Sequence, residues 1–320
     1  MLARLLRLSF FAWLGSALLW AFVLALQGRG GWAVAGAVFI LASPCLGLGV
    51  EFLVLLAVRR RDPAPRASAS MLLAAWGRSC VSGLLVFAWW QPFLSRRYPD
   101  TAGTGAGTAS PTRAVVLVHG FVCNRGFWLP VMRRLREAGV PYVSVDLEPV
   151  FARSIDDYVP LLRRAVERAQ MASDGLAPVI VAHSMGGLVA RAWQAAMTGE
   201  IEACRIVTIG TPHSATALAS MARLPTVREM SPGSIWLDAL REREALRGGP
   251  PACFANHVCF YGNCDNVVMP PSTATLQGAD NRLLAGRAHV ELAYQPEVFA
   301  EILRSAQLSS PPPSPARDQA

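Results

Sequence analysis

Two long uncharged stretches near the start of the chain constrain its fold most. Leu8–Gln27 contains no charged side chain, and Trp32–Val58 contains only Glu51. A helix of about 20 residues, rising 1.5 Å per residue, crosses a hydrocarbon core of roughly 30 Å. We therefore predict two membrane-spanning helices that form a hairpin, with Pro44 accommodated as a kink in the second helix.

The distribution of charge supports a membrane location. Residues 1–98 hold ten Arg and two acidic residues, whereas residues 99–320 hold twenty of each, so the net charge of +8 belongs entirely to the apolar part. An excess of Arg beside apolar spans is typical of membrane orientation, and we expect no nucleic-acid partner. Arg4 and Arg7 before the first span, and Arg59–Arg61 after the second, predict that both ends of the hairpin are cytoplasmic. The sequence thus indicates a multi-pass protein of the cell inner membrane.

A third apolar segment, Met71–Leu94, allows two interpretations. It contains Arg78, and an Arg deep in a spanning helix costs about 2.5–3.5 kcal/mol on insertion scales. It ends with Trp89 and Trp90, which suit a membrane interface. The segment is either a third span, which would place the rest of the chain across the membrane, or a helix on the cytoplasmic face, which we slightly favour.

Composition also suggests the domain boundaries. Residues 1–98 form the predicted anchor of two or three helices, and residues 99–112 have the Gly, Thr, Ser and Ala content of a flexible linker. Residues 113–305 form the predicted folded domain. Residues 306–320, rich in Pro and Ser, form a predicted disordered tail.

The predicted folded domain alternates between short β-branched runs and helical stretches. The runs are Ala114–Val118, Tyr142–Val145, Pro178–Ala182 and Arg205–Ile209, and the helical stretches are Trp128–Ala138, Ile155–Met171 and Met185–Met197. Continuous apolar strands separated by amphipathic helices indicate a doubly wound, mostly parallel α/β sheet with helices on both faces.

One serine lies at the junction of a predicted strand and a predicted helix. In VIVAHSMGGLVAR, Ser184 follows His183 and is flanked two positions away by Ala182 and Gly186. Small residues at these positions permit a sharp turn that exposes the serine at the end of the sheet. The helix N-terminus behind it favours developing negative charge.

This motif, together with VLVHGF at Val116–Phe121, resembles the α/β-hydrolase superfamily, most closely its bacterial lipases and related esterases. The resemblance extends over about Arg113 to Arg304. Ala182 departs from the usual Gly of the turn, although Ala-His-Ser-Met-Gly occurs in some bacterial lipases. The resemblance implies an α/β-hydrolase fold with a helical cap segment.

The resemblance also implies roles for several residues. Ser184 would be the nucleophile of the reaction. The loop that begins with His119 and Gly120 would contribute the backbone N–H of Phe121 to an oxyanion hole, and Met185 would contribute the second N–H.

A serine nucleophile needs a base, and the chain has five histidines. His119 belongs to the oxyanion loop, His183 should point away from the serine, His213 lies in a turn and His257 opens a strand. His289 lies shortly before the final helix, where the family has its catalytic histidine. Without the serine motif, His289 would be interpreted as a surface-loop residue.

The family order of serine, acid and histidine indicates the third member of the triad. Asp265 follows the run Val258–Gly262 and is preferred. Asp280, in a polar turn, and Glu291, interpreted as a solvated or helix-entry charge, are alternatives. Asp146 precedes the serine and breaks the order.

Two further regions leave alternatives open. The segment between His213 and Cys253 forms a cap or lid in lipase-like relatives, but it also fits an amphipathic helix packed on the sheet, and both can hold. Cys253, Cys259 and Cys264 fit either one disulfide with a free thiol or three free thiols.

The sequence therefore predicts a membrane-anchored serine hydrolase that cleaves carboxylic esters, of lipid or other acyl type, through an acyl-enzyme. The alternatives are an inactive hydrolase-like membrane scaffold or binding protein, and a thioesterase or acyltransferase with the same triad. We expect no cofactor and no metal, because Cys, His and carboxylate residues lack metal-ligand spacing.

Overall fold

The computed structural model describes residues 1–101, 112–152, 154–197 and 204–307. It begins with three long helices: α1 (Leu2–Leu26), α2 (Gly30–Val58) and α3 (Ala69–Phe93). All three are long and apolar enough to cross a membrane. In α3, a regular α-helical part at Ala69–Gly83 continues into a π-helical turn at Leu84–Trp90 and a last α-helical turn.

The first two helices form the predicted hairpin. The indole N–H of Trp13 donates to the carbonyl of Ile40 at 2.8 Å, and that of Trp20 donates to the carbonyl of Trp32 at 3.1 Å. Many large apolar side chains of both helices are exposed, as in Leu18. Exposed apolar surface on this scale indicates contact with lipid or another partner rather than water.

Both open ends of the hairpin lie at the following domain. The N-terminal ammonium of Met1 pairs with Glu148 at 2.7 Å. After α2, the Asp62 carboxylate accepts the backbone N–H of Ser272 at 3.2 Å. The connection at residues 27–29 is therefore the end of the hairpin that faces away from the domain.

Helix α3 contacts the same domain along its length. Arg78, in its middle, pairs with Glu291 at 2.9 Å, and Gln91, in its last turn, accepts the backbone N–H of Asn124 at 2.6 Å. Length and hydropathy group α3 with the two predicted spans, and α3 also contacts them: the indole N–H of Trp76 donates to the carbonyl of Cys45 in α2 at 2.9 Å. Helix α3 thus lies between the hairpin and the domain.

Within its described residues, the domain contains one six-stranded sheet. Its strands are β1 (Val115–Val118), β2 (Tyr142–Val145), β3 (Val179–His183), β4 (Arg205–Ile209), β5 (His257–Tyr261) and β6 (Asp280–Leu283). The order is β2-β1-β3-β4-β5-β6, and every pair is parallel. The doubly wound α/β fold predicted from the sequence is confirmed.

Helices cover both faces of the sheet. They are α4 (Leu129–Glu137), α5 (Val159–Met171), α6 (Met185–Ala196), α7 (Pro225–Arg228), α8 (Ile235–Ala245), α9 (His289–Leu292) and α10 (Pro296–Gln307). Val116 packs with α5 and α6, whereas its neighbour Leu117 packs with α4 and α10. Since successive strand side chains point to opposite faces, a strand covered on both sides must be apolar throughout.

Strand β6 differs from the sequence-based expectation. Asp280, assigned to a polar turn, begins this strand, and it pairs with Val258 in the register of β5. Strand β6 is one of the two edge strands, and unlike those of β2 at the other edge its residues are exposed or half-buried. It therefore lacks the apolar run by which the other strands were identified.

The segment between His213 and Cys253 combines the two structures that its sequence allowed. Its second half forms α8, whose Leu237 and Leu240 are buried in the same core as α6. Its first half, around residues 218–230, lies beside the end of β3 and lines a cavity there. The cap and the packed helix are thus successive parts of one segment.

The predicted linker and tail fall mainly outside the described residues, which omit 102–111 and 308–320. At the start of the linker, Asp100 accepts hydrogen bonds from Arg125 at 2.7 Å and from Arg168 at 2.8 Å. The first residues of this segment are therefore held on the domain surface. At the other end, α10 continues to Gln307.

Candidate active site

Ser184 forms the turn between β3 and α6. Its φ of 56° and ψ of −129° lie outside the regions that L-residues usually adopt. The backbone N–H of Ser184 donates to the carbonyl of Ile209 on β4 at 2.9 Å, which holds the turn at the carboxyl end of the sheet. Such strained backbone persists where surrounding structure enforces it, and it is frequent at functional sites.

Two glycines allow the backbone to pack tightly around this turn. A Cβ on Gly186 would lie 2.6 Å from the carbonyl oxygen of His119, and one on Gly120 would lie 2.8 Å from the Cβ of Ser184. Only glycine permits both approaches. Ala182, two positions before the serine, is completely buried.

Asp265 and His289 form a buried pair beside Ser184. His289 Nδ1–H donates to Asp265 Oδ2 at 2.9 Å. The other carboxylate oxygen accepts the backbone N–H groups of Val267 at 2.9 Å and Val268 at 2.8 Å. Asp265 is 1% exposed and His289 5%. The carboxylate is therefore fixed on one side by its own loop and orients the imidazole on the other.

Ser184 and His289 line one cavity of about 410 Å³. The described structure contains no hydrogen bond between their side chains. Such bonds are often long in unliganded enzymes and tighten when substrate binds.

The two amides predicted to form an oxyanion hole face no internal acceptor. Among the described residues, neither the N–H of Phe121 nor that of Met185 donates a hydrogen bond to the protein. Met185 is the first residue of α6, where backbone N–H groups lack a helical partner. Phe121 lies in the loop after β1 and lines the same cavity as Ser184.

His119 fixes this loop. Its Nδ1–H donates to the carbonyl of Gly120 at 2.9 Å, and its Nε2 accepts the backbone N–H of Leu147 at 3.1 Å. The imidazole thus connects the loop after β1 to the chain after β2. The loop that His119 fixes is the one predicted to supply the amide of Phe121.

The comparison with known families decides the class of this chain. The sequence model of the alpha/beta hydrolase family matches residues 115–313. The chain belongs to the alpha/beta hydrolase family.

Solved structures agree with this assignment. The mature lipase BlEst2 of Bacillus licheniformis has a TM-score of 0.50 at 16% identity, over 62% of this chain and 94% of that one. Aspergillus fumigatus lipase B has a TM-score of 0.55 at 17% identity, over 67% of this chain and 56% of that one. At these identities the likeness shows the fold. No curated protein has a significantly matching sequence.

In this alpha/beta hydrolase, His183 contacts the loop of His289. Its Nε2–H donates to the carbonyl of His289 at 3.1 Å, and its ring stacks on Phe127 with centroids 4.4 Å apart. Burial lowers the pKa of His183 well below its ordinary value, so the neutral ring serves as a donor. The contact with His289 was not foreseen, because nothing local in the sequence relates the two histidines.

The other acidic candidates have different partners. Glu291 accepts the backbone N–H of Ala288 at 3.0 Å, as expected for a helix-entry charge, but it is buried rather than solvated. Asp280 pairs with Arg282 on the exposed edge strand. Asp146 lies 3.7 Å from the Nε2 of His119. Among these candidates, only Asp265 bonds to the imidazole of His289.

The two remaining histidines are buried and form hydrogen bonds within the core. His213 Nε2 bonds to the hydroxyl of Thr208 at 3.0 Å, and His257 Nε2 bonds to the amide oxygen of Gln194 at 2.8 Å. Burial lowers the pKa of both imidazoles, that of His257 to about 3.

Sequence reasoning did not identify a role for Asn266. Its side-chain carbonyl accepts the backbone N–H of His289 at 3.4 Å, and its side-chain amide donates to Glu51 of α2. Glu51 also lines the candidate active-site cavity, together with Leu48 and Phe87 of the N-terminal helices. No local pattern could have identified this contact, because the partners are 215 positions apart.

Within the described ranges, no group of three or more His, Cys, Asp or Glu is placed to hold a metal ion. Cys253, Cys259 and Cys264 are free thiols, so the disulfide that their spacing allowed is not formed.

Proposed function

We propose that this hydrolase is a membrane-anchored serine enzyme that cleaves carboxylic esters of lipids through an acyl-enzyme. The observation that carries the proposal is a convergence at one cavity. Ser184, on a strained turn, lines this cavity with Phe121 and with His289, whose imidazole bonds to Asp265. Met185 directly follows Ser184, and among the described residues the N–H groups of Phe121 and Met185 donate no hydrogen bond.

In the first half of the reaction, Ser184 Oγ attacks the ester carbon while His289 Nε2 takes its proton. The N–H groups of Phe121 and Met185 stabilise the oxyanion of the tetrahedral intermediate. The intermediate collapses, His289 protonates the leaving alkoxide, and an alcohol departs. The acyl group stays on Ser184.

In the second half, water attacks the acyl carbon and gives its proton to His289. A second tetrahedral intermediate uses the same two amides. It releases a carboxylic acid as His289 returns the proton to Ser184 Oγ. Throughout, Asp265 holds the imidazole in the required tautomer and stabilises its protonated form.

The cavity walls favour an apolar acyl substrate. Leu218, Val227 and Met230 of the cap segment and Phe121 of the oxyanion loop line the cavity with the serine. Both solved relatives described above are named lipases, which supports a lipid ester. Apolar walls with a few placed polar groups are typical of such sites.

The hairpin supports a multi-pass location in the inner membrane, with the catalytic domain on the cytoplasmic side. The contacts of Met1 with Glu148 and of Asp62 with Ser272 keep both hairpin ends beside the domain. These ends also carry the Arg residues that favour the cytoplasm. In this arrangement α1 and α2 span the bilayer, and α3 lies between them and the domain.

The enzymatic proposal is tested with full-length protein in detergent and p-nitrophenyl esters. Ser184→Ala, His289→Ala and Asp265→Asn are each expected to lower kcat by roughly 10³-fold or more, because the triad acts as a unit. Ser214→Ala, an exposed serine after β4, is the matched control. A folded parent protein that hydrolyses no ester and does not react with a fluorophosphonate probe would refute the proposal.

The orientation is tested separately by protease treatment. The domain should resist digestion in intact spheroplasts and be cleaved in inverted membrane vesicles. Digestion from outside the spheroplasts would place the domain on the other side and favour a third span.

A further inference from the structure

A second cavity of about 360 Å³ lies between the three N-terminal helices and the hydrolase domain. Helix α1 contributes Phe10 and Trp13, α2 contributes Pro44, and α3 contributes Gly83 and Ala88. None of the described residues that line it is charged. Its size falls within the range of roughly 300–1,000 Å³ typical of small-molecule sites.

This helix-bundle cavity adjoins the active-site cavity. Leu48 of α2, Phe87 of α3, and Asn266 and Val290 of the domain line both cavities. The two spaces therefore share walls, and Leu48 and Phe87 are the apolar side chains of the membrane helices at their junction. A flexible acyl chain that extends from Ser184 and passes between these two side chains would enter the helix-bundle cavity.

The helices are irregular where they border this cavity. Leu84, Phe87 and Ala88 belong to the π-helical turn of α3, and Pro44 interrupts the hydrogen-bond ladder of α2. π-Helical turns within α-helices occur frequently at functional sites. Leu84 is exposed as well as cavity-lining, so the cavity reaches the outer surface of the helices.

We propose that the helix-bundle cavity binds the acyl chain of a bilayer lipid whose ester carbon lies at Ser184. The inference rests on the proposed esterase function and extends it, because it assigns acyl-chain recognition to the N-terminal helices. The substrate enters sideways from the bilayer beside Leu84, and its chain passes between Leu48 and Phe87. The remainder of the lipid faces the cap segment.

The first experiment fills the cavity. In full-length protein, Ala88→Phe and Gly83→Leu place new side chains in the space, and Ala74→Phe places the same ring on an exposed position of α3. The measured quantity is the ratio of kcat/KM for p-nitrophenyl palmitate to that for the butyrate. Ala88→Phe and Gly83→Leu should lower this ratio about tenfold or more, since each excluded methylene weakens apolar binding. Ala74→Phe should not change it.

The second experiment does not depend on turnover. A phosphatidylcholine with a diazirine in its palmitoyl chain is photo-crosslinked to Ser184→Ala protein in vesicles, and the labelled peptides are sequenced. Labels should lie on residues 83–88 of α3 in the Ser184→Ala protein. They should be lost when Ala88→Phe is added to it. This result would stand even if the protein proved to hydrolyse no ester.

The proposed esterase function and the acyl-chain site can therefore be refuted independently. Absence of hydrolysis in a folded parent, with crosslinks still on α3, would contradict the esterase function but retain the lipid site. An unchanged palmitate-to-butyrate ratio in both cavity variants would overturn this inference. A changed ratio in Ala222→Phe, a cap-segment residue that lines the cavity of Ser184, would then assign the acyl chain to the cap. Thermal unfolding of each variant in detergent, followed by Trp fluorescence, identifies any variant that has not folded.

Discussion

Arg78 in helix α3 donates its Nε–H to the carboxylate of Glu291 at 2.9 Å. Glu291 lies two residues after His289, and its carboxylate also accepts the backbone N–H of Ala288. Arg78 donates a further hydrogen bond to the carbonyl of Gly286. An Arg within an apolar segment is therefore a partner of the loop that carries the candidate catalytic histidine.

Replacing Arg78 with Met is expected to loosen this loop. The buried carboxylate of Glu291 would lose its hydrogen-bonded charged partner and keep only Arg287, at 3.6 Å. We expect this to lower the free energy of unfolding by about 1–3 kcal/mol. We expect a lower melting temperature and a lower rate of fluorophosphonate labelling. Arg133→Met, which breaks an exposed pair with Glu137 on α4, is the control and should have little effect on either. Equal melting temperatures and equal labelling rates in the two variants would contradict the proposed role of Arg78.

Glu51 is expected to position Asn266 and, through it, the backbone of His289. Glu51→Leu removes the acceptor of the Asn266 amide and should lower kcat about tenfold, roughly 1.4 kcal/mol in the barrier. Glu51→Gln keeps an acceptor oxygen and should retain most of the activity. The measurement is steady-state kinetics of short-chain ester hydrolysis. An effect on KM alone would instead indicate that Glu51 contacts the substrate.

Gly120→Ala tests the close approach of the oxyanion loop to the serine. The new Cβ would lie 2.8 Å from the Cβ of Ser184, so the loop must move. Displacement of one oxyanion donor should lower kcat roughly 10²–10³-fold with little effect on KM. Gly77→Ala, whose new Cβ meets nothing within 4 Å, is the control. Full activity in Gly120→Ala would show that the amide of Phe121 is not needed.

Arg191 and Glu244 form a buried pair that fixes α8 on α6. Two hydrogen bonds of 2.8 Å join the guanidinium and the carboxylate. Glu244→Gln leaves a buried, uncompensated Arg and should lower the free energy of unfolding by about 3–5 kcal/mol. Asp238→Asn removes the exposed pair with Arg241 on the same helix and should cost far less. Denaturant unfolding monitored by Trp fluorescence gives both values.

The buried histidines predict a loss of stability in mild acid. Burial lowers the pKa of His183, His213 and His257 in the folded protein, whereas an unfolded imidazole titrates near about 6.5. Below about pH 6.5 the unfolded chain therefore binds more protons than the folded protein. Each buried histidine then lowers the free energy of unfolding by about 1.4 kcal/mol per pH unit. The melting temperature should fall between about pH 6.5 and 5, above the range where carboxylates titrate.

A matched variant isolates one histidine. The pKa of His257 is lowered to about 3, so it contributes over the whole window. Its replacement by Gln should make the pH dependence of the melting temperature shallower. A melting temperature that stays constant or rises towards pH 5 in the parent would contradict the prediction.

The sequence by itself determined the features that depend on neighbouring residues. The β-branched runs of β1 to β4 are continuous because both faces of each strand are buried. The small residues around Ser184 identified the strand-to-helix turn, since only they fit its close contacts. Strand β6, whose residues are exposed or half-buried, carried no such signal.

The tertiary structure alone decided the contacts between distant residues. The hydrogen bond from His183 to His289 joins positions 106 apart, and the pair of Arg78 with Glu291 joins positions 213 apart. Periodicity and motif spacing report on neighbours along the chain, whereas these contacts depend on where the sheet and the N-terminal helices bring their side chains. For that reason the sequence indicated a hydrolase and an anchor separately, and only the fold placed Glu51 of the N-terminal helices at the candidate active-site cavity.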